Sequence, residues 1–236
     1  DELLSVTGSI TVATGILNIW MHEPAQVVRE YRALRARRAD RFVLGIGNSH
    51  ATIVDADEPG RYRRPVSRMI AYLDDLAAAG LDTKEEVILG ALGPRMLELS
   101  GTRAAGAHPY LVTVDYLREA RRILGDGRLL APELGVVLEA DPEVARARGR
   151  DHVSGYLELP NYLTNLQRLG YGDDDFADGG SDRLIDDIVA WGTPEAVRER
   201  IDAYLAAGAD HVCVQMLNVP DEHLPLTDWR RLAEVL

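Results

Sequence analysis

Runs of apolar residues alternate along this chain with stretches in which apolar positions recur every three to four residues. The runs SITVATGILNI (9–19), RFVLGI (41–46), EVILGAL (86–92), GAHPYLV (106–112), LGVVLEA (134–140) and DHVCVQML (210–217) read as strands. Most are apolar on both faces, as strands covered by helices on each side must be. The stretches between them read as helices with marked ends. Pro24, Pro142 and Pro194 fit first helical turns, where a missing N–H costs nothing, and Asp141 and Thr193 fit N-caps. Gly80, Gly106 and Gly208 stand where a helix must give way to the next strand.

This alternation predicts an α/β fold with a parallel sheet. It forms one domain over 1–236, because no shift of composition and no low-complexity linker interrupts it. The stretch from Asp141 to Trp191 reads as a long, mainly helical insertion, at about 141–190, of the kind that barrel strand ends carry around a pocket. Six strands are visible in the pattern, whereas a closed (β/α)8 barrel takes about eight. Pattern alone therefore leaves barrel and open sheet both standing.

Composition narrows the partners. An apolar fraction of 46% and a charged fraction of 27% are ordinary for a globular chain. No apolar run approaches the roughly 18 residues of a membrane span, so no membrane partner is expected. The formal charge of −12 repels a phosphate backbone and argues against nucleic acid. A single cysteine, Cys213, has no partner within the chain, and DELLSVTGSI has neither a basic n-region nor an apolar h-region, so a cytoplasmic location is expected. The six histidines show no metal-ligand spacing and no HExxH occurs, so no metal is expected. No Gly-x-Ser-x-Gly setting supports a hydrolase triad.

Residues 41–50, RFVLGIGNSH, carry the first chemical signal. A dinucleotide fingerprint needs a third glycine and a following helix. Here the sixth position is His50, and the chain runs on to Pro59 and Pro65. The better reading is a strand whose exit at Gly45 and Gly47 lets a ligand approach the backbone and delivers His50, since imidazole can give or take a proton near neutral pH.

Together these pieces resemble the luciferase-like family of flavin and deazaflavin oxidoreductases, most closely its branch that uses coenzyme F420. The resemblance rests on TGILNIWMHEPAQVV (14–28), RFVLGIGNSH (41–50), ILGALGPRMLEL (88–99), GAHPYLVT (106–113), LLAPELGVVLEADPEVARA (129–147), LPNYLTNLQRLGY (159–171) and WGTPEAVRERIDAYLAAGADHVCVQ (191–215). It implies a TIM (β/α)8 barrel of the luciferase-like type, incomplete at the N-terminus. The missing opening βαβα portion would be on the order of 50 to 60 residues.

The activity implied is hydride transfer between the deazaflavin C5 and a small organic substrate, with coenzyme F420 as cofactor. Left open are an FMN-dependent monooxygenase on the same scaffold and a non-catalytic barrel or partner subunit. A homodimer is implied by the resemblance alone. Gly15 and Ile16 match the family position of a non-proline cis peptide behind the ring, and Asn18 could bond a ring edge. Gly47 and Asn48 belong to the same cofactor set. Ala91, Leu92, Gly93, Pro94 and Arg95 match the turn near the cofactor's phosphate-bearing tail. His50 is the implied catalytic residue. His108, Tyr110, Asn161 and Tyr162 are the implied substrate contacts. The arginines at 61, 63, 64 and 68 could attract a polyglutamate tail but read first as a solvated face.

Overall fold

A computed structural model describes residues 1–38, 41–217 and 224–236 of the chain. It divides into two compact units, the first comprising 1–108 with 123–129, the second 109–122 with 130–236.

The first unit holds the strands β1 (Val12–Ala13), β2 (Leu17–Asn18), β3 (Phe42–Gly47), β4 (Val87–Leu89) and β5 (Gly106–Ala107). The pairs β1–β3, β2–β3, β3–β4 and β4–β5 are all parallel, with Leu17 opposite Ile46 and Ile46 opposite Leu89. β6 (Leu129–Leu130) follows at the sheet's edge, and its Leu129 N–H reaches the Ala105 carbonyl at 2.9 Å. Helices Pro24–Arg38 and Pro65–Ala78 supply Val28, Tyr31, Met69, Tyr72 and Leu73 to a core shared with Leu44, Ile46 and Leu89. Ile46, Met69 and Leu73 are wholly buried; burying each such side chain is worth about 1.5–3 kcal/mol. The arginine-rich end of the first helix is tied down. Arg32 Nη2 donates to the Gly80 carbonyl at 2.7 Å and Arg35 meets Glu86 at 2.9 Å.

The second unit holds β7 (Glu133–Val137), β8 (Val189–Trp191) and β9 (Cys213–Met216), in the order β8–β7–β9 and parallel throughout. Helices Pro142–Val153, Pro160–Arg168, Asp182–Ile188 and Pro194–Ala206 accompany them. Asp141 accepts from the amides of Glu143 and Val144, and Thr193 from that of Ala196, so both expected caps are made. The helix Val114–Leu124 is clamped to the turn ahead of β9: Arg121 donates to the Gly208 carbonyl at 2.9 Å and to Asp210 at 2.5 Å.

The structure corrects several sequence expectations. Nine strands are found among the described residues, not six. The expected strand 9–19 is broken into β1 and β2. Between them the Thr14 hydroxyl donates to the Gly45 carbonyl at 2.7 Å and accepts the Gly45 N–H at 2.9 Å, replacing main-chain rungs with a side chain. The run 106–112 stops after Ala107, because Pro109 brings no N–H to a ladder. The insertion is helical, but β8 closes it, a strand of three residues too short to show a period. Gly80 and Gly208 do leave helices at φ +92 and +110. Gly106 does not: it lies in β5, where a Cβ would stand 2.1 Å from the Leu129 carbonyl oxygen.

Candidate functional site

In the first unit the strand ends are built around one short segment. Between β1 and β2 the Gly15–Ile16 peptide bond is cis, the geometry that the resemblance implies for this position. The Ile16 side chain then lies along the neighbouring strands. A Cβ on Gly47 would stand 2.7 Å from Ile16 Cδ1, and one on Gly45 would stand 2.0 Å from the Thr14 carbonyl oxygen. The approach expected of a ligand at these two glycines is thus made by the chain itself. On the other side of the turn His108 Nε2 lies 3.4 Å from where a Gly15 Cβ would be.

Asn18 spends its side-chain carbonyl locally, accepting from the Trp20 N–H at 3.0 Å. This is the strand-end role that competes with a ring contact. Asn48, at the end of β3, behaves otherwise. It is 9% exposed, and its Oδ1 is buried with no hydrogen-bond partner. A buried acceptor left unpaired costs about 1–3 kcal/mol, so a donor on a bound molecule would recover that cost. Ser49 follows with φ +56, and His50 then stands at the N-cap of the helix Ala51–Val54. The His50 imidazole does not cap that helix. Tyr62 supports the loop from behind, its hydroxyl donating to the Ser49 carbonyl at 3.4 Å, with its ring 5.6 Å from that of Trp20. Burial pushes the Tyr62 phenol above its ordinary range. Arg61 donates to the Trp20 carbonyl and Arg68 lies 5.5 Å from the Trp20 ring, so these two arginines brace the segment that follows β2.

The turn Ala91 to Arg95 leads into the helix Pro94–Arg103. Gly93 is its N-cap, with no side chain capping the first turn and open space where a Cβ would project. Arg95 is exposed in that turn and makes no ion pair with any described residue. An uncapped helix start with a nearby guanidinium suits an anionic group.

The second unit gathers a different set. The Tyr110 hydroxyl donates to Gln215 Oε1 at 2.7 Å and also meets His152 Nε2. The Tyr110, Tyr156 and Tyr162 rings stand edge to face, with centroids 5.3 to 6.4 Å apart and planes 78 to 87° apart. Such contacts lock ring positions. Burial raises the Tyr110 and Tyr162 phenols well above their ordinary range, and the nearby Glu133 carboxylate adds to this. Burial also lowers the His152 imidazole, against the pull of Glu133 and Asp151.

Of the expected substrate residues, Tyr110 and Tyr162 meet in this cluster, His108 lies in the first unit against Gly15, and Asn161 is exposed in a first helical turn. Sequence reasoning missed His152, Tyr156, Gln215 and Glu133. One signal was available: His152 and Tyr156 are four residues apart in a stretch whose pattern reads as helical, a spacing that brings side chains near each other, although the helix itself ends at Val153. Among the described residues no group of three or more His, Cys, Asp or Glu is placed to hold a metal ion, and no helix is long and apolar enough to cross a membrane.

Parallel strands alternating with helices place the chain in the broad class of parallel α/β folds. Residues 81–211, more than half of the chain, match the model of one family, luciferase-like monooxygenase. The chain belongs to that family. Solved structures share its fold. An F420-dependent secondary alcohol dehydrogenase in complex with an F420-acetone adduct aligns over 91% of this chain and 76% of its own, with TM-score 0.70 and 13% identity. The coenzyme F420-dependent tetrahydromethanopterin reductase of Methanopyrus kandleri aligns over 90% and 79%, at 0.70 and 17%. The oxygenating constituent of 3,6-diketocamphane monooxygenase of Pseudomonas putida, in complex with FMN, aligns over 98% and 80%, at 0.66 and 16%. No curated protein sequence matches the chain. The α/β fold is that of the luciferase-like barrels, and the family is one of oxidoreductases and monooxygenases.

Proposed function

We propose that this chain is an oxidoreductase that uses coenzyme F420 to move a hydride to or from a small organic substrate. The observation that carries the reading is Asn48 Oδ1, a buried acceptor without a partner, two residues before His50. An acceptor in that state calls for an N–H donor, and the pyrimidine edge of a deazaflavin offers one. The residues present fit such a group. Asn48 would take its N–H edge, Gly15 and Ile16 would back the ring, and the Gly93 amide end with Arg95 would take its anionic tail. When bound, the deazaflavin supplies hydride chemistry at C5. His50 moves the proton that the substrate oxygen gains or loses.

A second reading is an FMN-dependent monooxygenase. It is supported by the FMN-bound neighbour, which aligns with 98% of this chain, and by the flavin ring, whose edge offers the same N–H. Titration of the purified chain with each cofactor separates the two. The proposal expects coenzyme F420 to bind at least about tenfold tighter than FMN, a difference of roughly 1.4 kcal/mol. Tight FMN with no deazaflavin affinity establishes the second reading instead. Binding of neither favours a non-catalytic role.

A further inference from the structure

The polar groups of the second unit come from four separate places in the sequence and converge without an obvious structural need. Tyr110 follows β5, Glu133 opens β7, His152 ends the helix Pro142–Val153, and Gln215 lies in β9. Each of these four keeps part of its surface exposed, as does Tyr156, so the group is reachable from solvent. A core packed only for stability would more simply be apolar here, because each buried polar group must find a partner.

The hydrogen bonds fix a direction. A phenol has one proton, and Tyr110 gives it to Gln215 Oε1. Its oxygen must therefore accept from His152, which places the imidazole proton on Nε2. Nδ1 is then the acceptor nitrogen, and no described residue donates to it. Burial pushes the imidazole below its ordinary range and so favours the neutral ring, which leaves that lone pair available. The neighbouring charges are the Glu133 carboxylate, felt by Tyr110, His152 and Tyr162 alike, and that of Asp151, felt by His152, and both oppose an anion. The Tyr156 ring, with its centroid 5.4 Å from that of His152, offers an apolar face beside the acceptor.

We propose that Tyr110, His152 and Gln215 form a binding site for a neutral hydroxyl compound, an alcohol whose O–H is accepted by His152 Nδ1. Tyr110 is the positioning residue that fixes the tautomer. The site depends on the oxidoreductase reading only for the use made of the bound alcohol.

The test follows the imidazole nitrogens of His152 by NMR in the cofactor-free chain, assigned by comparison with His152→Gln. Cyclohexanol, cyclohexanone and cyclohexanecarboxylate are added in turn. Before any addition, the proton should be found on Nε2. Cyclohexanol alone should then move the Nδ1 resonance to saturation, and Tyr110→Phe should weaken that binding roughly tenfold, the scale of one lost hydrogen bond. A proton on Nδ1 in the unmodified protein overturns the proposal without recourse to any variant. So does an equal response to the ketone or the carboxylate, no response to any of the three, or unchanged affinity in Tyr110→Phe. Because no cofactor enters the titration, failure of F420 binding leaves this result standing, and the reverse also holds.

Discussion

The two units build their strand ends in opposite ways. In the first, neighbouring segments close on glycine backbone: Thr14 presses its carbonyl on Gly45, the Ile16 side chain lies over Gly47, and Gly93 leaves a helix start open. In the second, side chains from remote positions meet over the strands, with Tyr110 touching both His152 and Gln215. A backbone-built site tolerates few added atoms and offers few functional groups of its own. A side-chain-built site can lose one group at a time and keep its frame.

That contrast can be broken by substitution. The largest effect is expected at Gly45. Its Cβ would fall 2.0 Å from a carbonyl oxygen, which cannot swing aside, so Gly45→Ala should destabilise by roughly 3 kcal/mol or more. Urea unfolding measures this, and a loss under 1 kcal/mol would mean that the Thr14 segment can move. Next comes His50→Ala, expected to cut turnover roughly 100-fold; unchanged turnover removes His50 from the chemistry. Gly47→Ala should cost less than Gly45→Ala, about 1–2 kcal/mol, because its Cβ would meet Ile16 Cδ1 at 2.7 Å and Cγ1 at 2.8 Å, side-chain atoms with more freedom to shift than a carbonyl oxygen. Equal losses at the two glycines would erase the distinction.

The smallest effect concerns acid stability in the second unit. Asp186 is partly buried, which alone would raise its carboxyl, but donation from Arg146 at 2.7 and 2.9 Å and from Trp191 at 2.8 Å outweighs burial and holds it below the usual carboxylate range. A carboxyl depressed in the folded state stabilises above its unfolded value of about 4 and loses that contribution as pH falls through the folded value. Melting curves from pH 7 to pH 3 should therefore converge for the wild type and Asp186→Asn only at the acid end. Parallel curves would show that the network adds nothing.

The helix starts were the most legible part of the sequence, and the reason is physical. Prolines and capping side chains mark backbone demands at their own positions, so Pro24, Pro142, Pro194 and the caps at Asp141 and Thr193 announced themselves locally, whereas Gly15, Gly93 and Pro94 were singled out only through the family resemblance. Gly106 misled because a strand glycine facing a carbonyl and a helix-ending glycine look alike in a string of letters. The cluster around Tyr110 stayed hidden, since Gln215 lies 105 residues from it and no local rule links them. Asn48 carried no signal of its unpaired oxygen, because an orphaned acceptor is a property of surroundings and not of residue type.

Cys213 is the chain's only thiol, is partly exposed, and sits two places before Gln215 in β9, so the two project to the same side. A maleimide dye attached there would stand within one strand repeat, about 7 Å, of the amide that receives the Tyr110 proton. The native chain thus carries a ready anchor for an optical reporter, with no competing sulfhydryl to block first.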